Sequence, residues 1–171
     1  TISLGQGVVS YGPPADAVAA LPALMADVQL NKYQAVSGMP PLVDALRAKL
    51  ERENGIVTAG RSQVMVTAGS NMAFLNAVLA LADPGDEFIL PSPYYFNQEM
   101  AIRMCGCVPV PVPVRDDWQL DVDAIAAAIG PRTRAIVTVS PNNPTGAVYH
   151  EADLRAVNAL AARHGLYHFS D

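Results

Sequence analysis

The sequence predicts an α/β fold: a mostly parallel sheet with helices on both faces, preceded by an irregular N-terminal arm. Short β-branched runs alternate with amphipathic runs from residue 63 onward, the pattern of strands joined by helical crossovers. Of the 171 residues, 51% are apolar and 16% charged, enough apolar material to cover a sheet from two sides. The stretch 1–38 shows no such alternation and is punctuated instead by Gly5, Gly7, Gly12, Pro13, Pro14 and Pro22. Two parts are therefore expected, an arm over 1–38 and a sheet domain over 39–171.

In the arm, 15–21 reads as a short helical piece. Pro40 and Pro41 suit the first turn of a helix, Leu42, Ala45, Leu46 and Leu50 give it an apolar face, and Asn54-Gly55 stops it. Strand 63–67 then leads to helix 70–82, and Asp83-Pro84-Gly85 turns the chain into strand 87–90. Helix 94–104 leads to strand 107–112, helix 122–129 to strand 135–139, and helix 151–164 to strand 166–170. The run Val108 to Val114 carries proline at 109, 111 and 113, so its missing N–H groups fall along one side. A strand that can pair on one side only belongs at the edge of its sheet.

The net charge of −5 includes no basic block, which argues against nucleic acid or an anionic membrane as partner. No apolar run approaches the roughly 20 residues of a membrane-spanning helix, and the first residues lack a signal-peptide pattern. Thr1 stands where an initiator methionine would, which suggests a trimmed N-terminus. Cys105 and Cys107, separated by Gly106, match neither a redox nor a zinc spacing and read as small apolar residues entering a strand. A reducing, cytoplasmic setting is expected.

Chemistry concentrates at the carboxyl ends of the expected strands, where open α/β sheets bind ligands. Thr67-Ala-Gly-Ser-Asn71 turns a strand into a helix whose first N–H groups suit an anion, although a serine there also serves as an ordinary cap. Pro91-Ser-Pro-Tyr-Tyr95 places a tyrosine that can lie flat on a ring or pack the next helix. Ser140-Pro-Asn-Asn-Pro-Thr-Gly146 sets asparagine amides in a tight turn, and Asp171 ends the last strand as a carboxylate or a turn residue. His150, His164 and His168 sit in no motif and read as surface or packing residues. No Gly-x-Gly-x-x-Gly follows the first sheet strand, which disfavours a nicotinamide dehydrogenase.

Taken in order from Gly5 to Asp171, these motifs resemble the large domain of fold-type I aminotransferases that use pyridoxal 5'-phosphate. The resemblance implies that Gly69, Ser70 and Asn71 hold the cofactor's phosphate, that Tyr95 stacks on its ring, and that Asn143 donates to its phenolic oxygen. It assigns Asp171 to the ring nitrogen, making Asn143 and Asp171 the catalytic pair within this chain. Asn142 and Thr145 shape the turn, and a cis bond is expected at Asn143-Pro144 and a further one at Ser92-Pro93. Lys32-Tyr33 resembles the segment whose tyrosine reaches the phosphate of the neighbouring subunit, implying a homodimer. Leu4-Gly-Gln-Gly7 resembles the segment whose last glycine offers its N–H to the substrate carboxylate, although Val9-Ser10-Tyr11 departs from the Pro-Asp-Phe of many relatives. In the family the first sheet strand pairs with late strands, and the lysine that carries the cofactor and the arginine that binds the substrate carboxylate lie beyond the position of Asp171. Lys32 and Lys49 are the lysines present, and neither matches that lysine. The chain is thus expected to be part of a longer enzyme and inactive alone.

The function implied is transfer of an amino group between an L-amino acid and a 2-oxo acid. A lyase or decarboxylase on the same fold, or a non-catalytic regulator domain that binds the cofactor, are the competing readings. No metal is expected.

Overall fold

Alternation along the two central strands builds the fold. In β1 (Glu87–Ser92), Phe88 and Leu90 point to one side of the sheet and Ile89 to the other. In β3 (Thr133–Thr138), Ala135 and Val137 share the side of Phe88, and Ile136 joins Ile89. All of these side chains are buried, as strands covered on both faces require. The computed structural model describes residues 7, 9–58, 60 and 62–171.

The sheet has four strands in the order β2-β1-β3-β4, with β2 at Val108–Pro113 and β4 at Tyr167–Ser170, and every pairing is parallel. Pro109, Pro111 and Pro113 lie in β2, which pairs with β1 alone. The N–H groups of Val108 and Val114 reach the carbonyls of Asp86 and Ser92, so the proline nitrogens fall on the unpaired side. The edge position read from these prolines is the observed one.

Helices α3 (Ser70–Leu81) and α4 (Phe96–Met104) supply Val78 and Ile102 to the core around Phe88 and Leu90. Helices α5 (Val122–Ala127) and α6 (Glu151–His164) supply Ile125, Val157 and Leu160 to the core around Ile89 and Ile136. The expected helices on both faces are therefore present. Local chemistry fixes their ends: Asp121 caps α5 by accepting from the Ala124 N–H at 2.9 Å. Helix α4 starts two residues later than expected, because Tyr95 is extended, with ψ 116°.

The chain divides into two compact units, 1–66 and 67–171. The first holds α1 (Ala15–Ala26), a 3₁₀ turn at Val28–Asn31, and α2 (Pro40–Asn54), which begins on its paired prolines and ends at Gly55 in the left-handed conformation. The boundary expected at 38/39 marks the start of α2, and the division between units falls later in the chain.

One expected element does not form. Residues 62–68 carry no strand. Val66 N–H donates to the Ser37 carbonyl at 2.9 Å, but no ladder with another strand forms among the described residues. A strand is stabilised by its neighbour's N–H and C=O groups, so β-branched composition alone does not make this stretch a strand. The observed sheet has four strands where the sequence suggested five.

Candidate active site

The carboxyl ends of β1, β3 and β4 open on the same edge of the sheet, and each carries an expected motif. After β1 come cis Ser92-Pro93, Tyr94 and Tyr95. After β3 comes the 140–146 turn, with cis bonds at Asn143-Pro144, as expected, and also at Ser140-Pro141. After β4 comes Asp171, whose N–H donates to the Thr138 carbonyl at 3.0 Å while its own carbonyl accepts from Ser140 N–H at 3.0 Å. These bonds extend the β3/β4 ladder and fix the Asp171 backbone from both directions.

The turn is built by Asn142. Its buried Oδ1 accepts from the Thr145 N–H at 3.2 Å and from the Thr145 hydroxyl at 2.9 Å, an Asx-type closure. Its Nδ2 donates to the Pro93 carbonyl at 3.4 Å, tying the turn after β3 to the turn after β1. Asn142 and Thr145 thus shape the turn. Asn143 next to it is exposed, and no hydrogen bond among the described residues engages its amide. Its donor is free for a ligand.

Helix α3 provides the anion end. Its N-cap is Gly69, at φ 84°, and no side chain caps it. Ser70 occupies the first helical position and is not the cap. The N–H groups of Ser70, Asn71 and Met72 belong to the first turn and have no acceptor within the helix, and the helix dipole favours negative charge there. A side-chain cap would contribute about 1 kcal/mol. At Gly69 an added Cβ would meet nothing within 4 Å, so the space beside the turn is open, while the positive φ is one that L side chains rarely adopt.

Ser70 and Asp171 line one cavity of about 190 Å³, walled by Ala73, Phe74, Val137 and Phe169. The anion end and the carboxylate therefore face one apolar-walled space. Phe74 and Phe169 meet with their rings tilted by 60° and 5.5 Å between centroids, which stiffens that wall. Tyr95 is half-buried, its hydroxyl accepts from the Asn97 amide, and its ring meets Phe96 edge-on at 5.3 Å. Tyr94 instead donates to Glu99 at 2.6 Å, a bond that raises the phenol's pKa above its ordinary value and lowers that of the carboxyl.

The sequence reading missed Gln98. It is 3% exposed on α4, and its Nε2 donates to Asp171 Oδ2 at 3.3 Å. Its spacing to Ala101 and Ile102, the other buried residues of α4, puts an amide on the apolar stripe of a helix. That signal was available in the sequence.

Gly7 and Tyr33 belong to the unit 1–66. Both are exposed, Tyr33 fully so, beside a shallow depression formed with Asn31, Lys32 and Gln34. Leu4, Gly5 and Gln6 lie outside the described residues. Lys49 pairs with Glu53 at 3.2 Å on the solvent face of α2.

The site's donor set fits a pyridoxal phosphate: uncapped helical N–H groups beside an open glycine turn for the phosphate, a free amide at Asn143, and an anchored carboxylate at Asp171.

Comparison with known proteins agrees. The family model for aminotransferase class I and II matches residues 1–171. The aspartate/prephenate aminotransferase of Thermus thermophilus is 41% identical over 143 residues, which cover 82% of this chain and 37% of that protein. The aspartate aminotransferase of Streptomyces avermitilis is 35% identical over 173 residues, 99% of this chain and 42% of that one. The solved structure of N-succinyldiaminopimelate aminotransferase from Mycobacterium tuberculosis superposes with a TM-score of 0.91 at 35% identity, covering 98% of this chain and 44% of that one. The chain thus spans about two fifths of the length of these relatives. Motif order, strand-end geometry and a family match over the whole sequence lead to one conclusion: the chain belongs to the class I and II aminotransferases.

Proposed function

We propose that the protein to which this chain belongs transfers an amino group between an L-amino acid and a 2-oxo acid, using pyridoxal 5'-phosphate. The observation that carries this reading is the shared cavity, with the uncapped end of α3 at Ser70 and the anchored carboxylate of Asp171 on its walls. When bound, the cofactor's protonated ring serves as the electron sink for bonds broken at the substrate's Cα. Each residue's part follows from its chemistry. The N–H groups of Ser70 and Asn71 bind the dianionic phosphate at the helix N-terminus, and Gly69 keeps the approach to them open. Asp171 holds a proton on the ring nitrogen as its ion-pair partner. Asn143 donates to the phenolic oxygen, and Tyr95 supports the ring from its face.

Gly7 offers its N–H to the substrate carboxylate, and Tyr33 serves the phosphate of a neighbouring subunit. On this reading the enzyme is a homodimer with composite sites, and it works in the cytoplasm. The relatives named above include aspartate/prephenate and aspartate aminotransferases, which puts L-aspartate first among donors to try.

The test uses the purified full-length protein supplied with cofactor, L-aspartate and 2-oxoglutarate. Formation of glutamate and the donor's own 2-oxo acid in equal amounts (oxaloacetate from L-aspartate) is expected for that pair or for another amino acid in a panel. Release of CO₂ or ammonia without a new amino acid would favour the lyase or decarboxylase reading. Cofactor binding without turnover of any amino acid would favour a regulator.

A further inference from the structure

Gln98 is the one buried side chain, among the described residues, whose polar group is half satisfied. Its Nε2 donates to Asp171 Oδ2 at 3.3 Å, while its Oε1 is buried without a hydrogen-bond partner. The amide's orientation follows from the pairing. Turned over, it would set Oε1 against a carboxylate oxygen, acceptor against acceptor, and the donor would be lost. An apolar side chain of similar length would fill the same space without stranding a carbonyl, so packing of α4 does not account for an amide here. What the amide adds is a donor aimed at Asp171.

We propose that Gln98 is a positioning residue for Asp171. This rests on the reading of Asp171 as partner of the cofactor's ring nitrogen. The Asp171 main chain is already fixed by Thr138 and Ser140, which leaves rotation of the carboxylate itself free. Gln98 removes that freedom by holding Oδ2, and Oδ1 remains for the ligand. A neutral amide suits the task better than a cation would. It fixes the direction in which the carboxylate points, yet it brings no positive charge to compete with the ring for the pairing. Gln98 touches neither substrate nor cofactor and acts through Asp171.

The experiment uses the full-length holoenzyme loaded with pyridoxal phosphate carrying ¹⁵N in the ring, whose chemical shift reports whether that nitrogen holds a proton. In Gln98→Met the signal is expected to move part of the way toward that of an unprotonated pyridine, and kcat to fall about tenfold with KM changed much less. Asp171→Asn is the reference and should move the signal further. A glutamine that only packs α4 would alter the melting temperature and leave the ¹⁵N shift at its wild-type value. That result in Gln98→Met, with Asp171→Asn shifted, overturns the proposal and leaves the reading of Asp171 standing. An unchanged shift in both variants overturns that reading, and the proposal with it. If Gln98→Met does not fold, Gln98→Asn, which keeps an amide in the core but withdraws it from Asp171 by one methylene, is expected to show the same partial shift. A wild-type shift in that variant counts against the proposal equally.

Discussion

The units 1–66 and 67–171 form their elements by different means. In 67–171, Phe88, Ile89, Leu90, Ile136 and Val137 are buried between helices on both faces of a sheet. In 1–66, Val43 is the buried hydrophobic residue among those described, while Leu21, Leu24, Met25, Val36 and Val57 are exposed. Helix α2 nevertheless forms where its paired prolines and a glycine stop put it, whereas α1 runs past Pro22 to Ala26, beyond the end expected at residue 21. Local signals suffice to define a helix, whereas positioning a carboxylate against a helix end requires strands locked in register. The unit that owns a core is the one that carries the shared cavity.

The largest test of that contrast is truncation in each unit. Phe88→Ala should cost about 3–5 kcal/mol, because Phe88 is fully buried and meets Phe169 at 6.1 Å between ring centroids. Leu24→Ala, on a helix with no buried residue, should cost about 0.5 kcal/mol or less. Urea unfolding of the chain measures both, and equal costs would break the comparison.

A smaller effect separates the units by strain. Gly38 has φ 112°, and a Cβ there would lie 2.7 Å from Val66 Cγ2. Gly38→Ala should therefore destabilise the 1–66 unit by about 1–3 kcal/mol. Hydrogen exchange should speed up in α2 and stay unchanged in β1 and β3. Faster exchange in all of them would mean that the units unfold together.

The pH response belongs to the sheet unit. Burial lowers the pKa of His168 below its ordinary value of 6.5, and its Nε2 pairs with the Thr138 hydroxyl at 2.9 Å. The unfolded chain then binds more protons than the folded one below about pH 6.5, so stability falls as pH drops through that region and recovers above it. Replacing His168 by Leu should flatten this slope in thermal melts between pH 5 and 8. A slope that survives the substitution would assign the titration to another group.

The smallest effect is one of thiol reactivity. Cys107 is buried and its thiol pKa is raised by that burial, whereas Cys105 is partly exposed. Iodoacetamide at neutral pH should label Cys105 roughly tenfold or more faster than Cys107, as peptide mass mapping would show.

Much of this was legible in sequence because it is local or periodic. Prolines at 109, 111 and 113 placed β2 at the edge, and Asp171 was placed at a strand end by the apolar run before it. The stretch 63–67 was read as a strand, and none is present there, because composition reports what a strand would like, not whether a neighbour pairs with it. Gln98 was missed for the opposite reason. Its contact with Asp171 spans 73 residues, and only its polar character on an apolar helix stripe hinted at it. The cis bond at Ser140-Pro141 gave no sign in the sequence that set it apart from other X-Pro pairs.

The most direct measurement is Asp171→Ala in the full-length protein, with turnover and cofactor affinity determined side by side. Removing the carboxylate should lower turnover on the order of 100-fold or more, the scale of deleting a preorganised electrostatic group. Cofactor affinity should fall far less, because Ser70 and Asn71 still bind the phosphate. Near-normal turnover in Asp171→Ala would contradict the account and reduce Asp171 to the residue that ends β4.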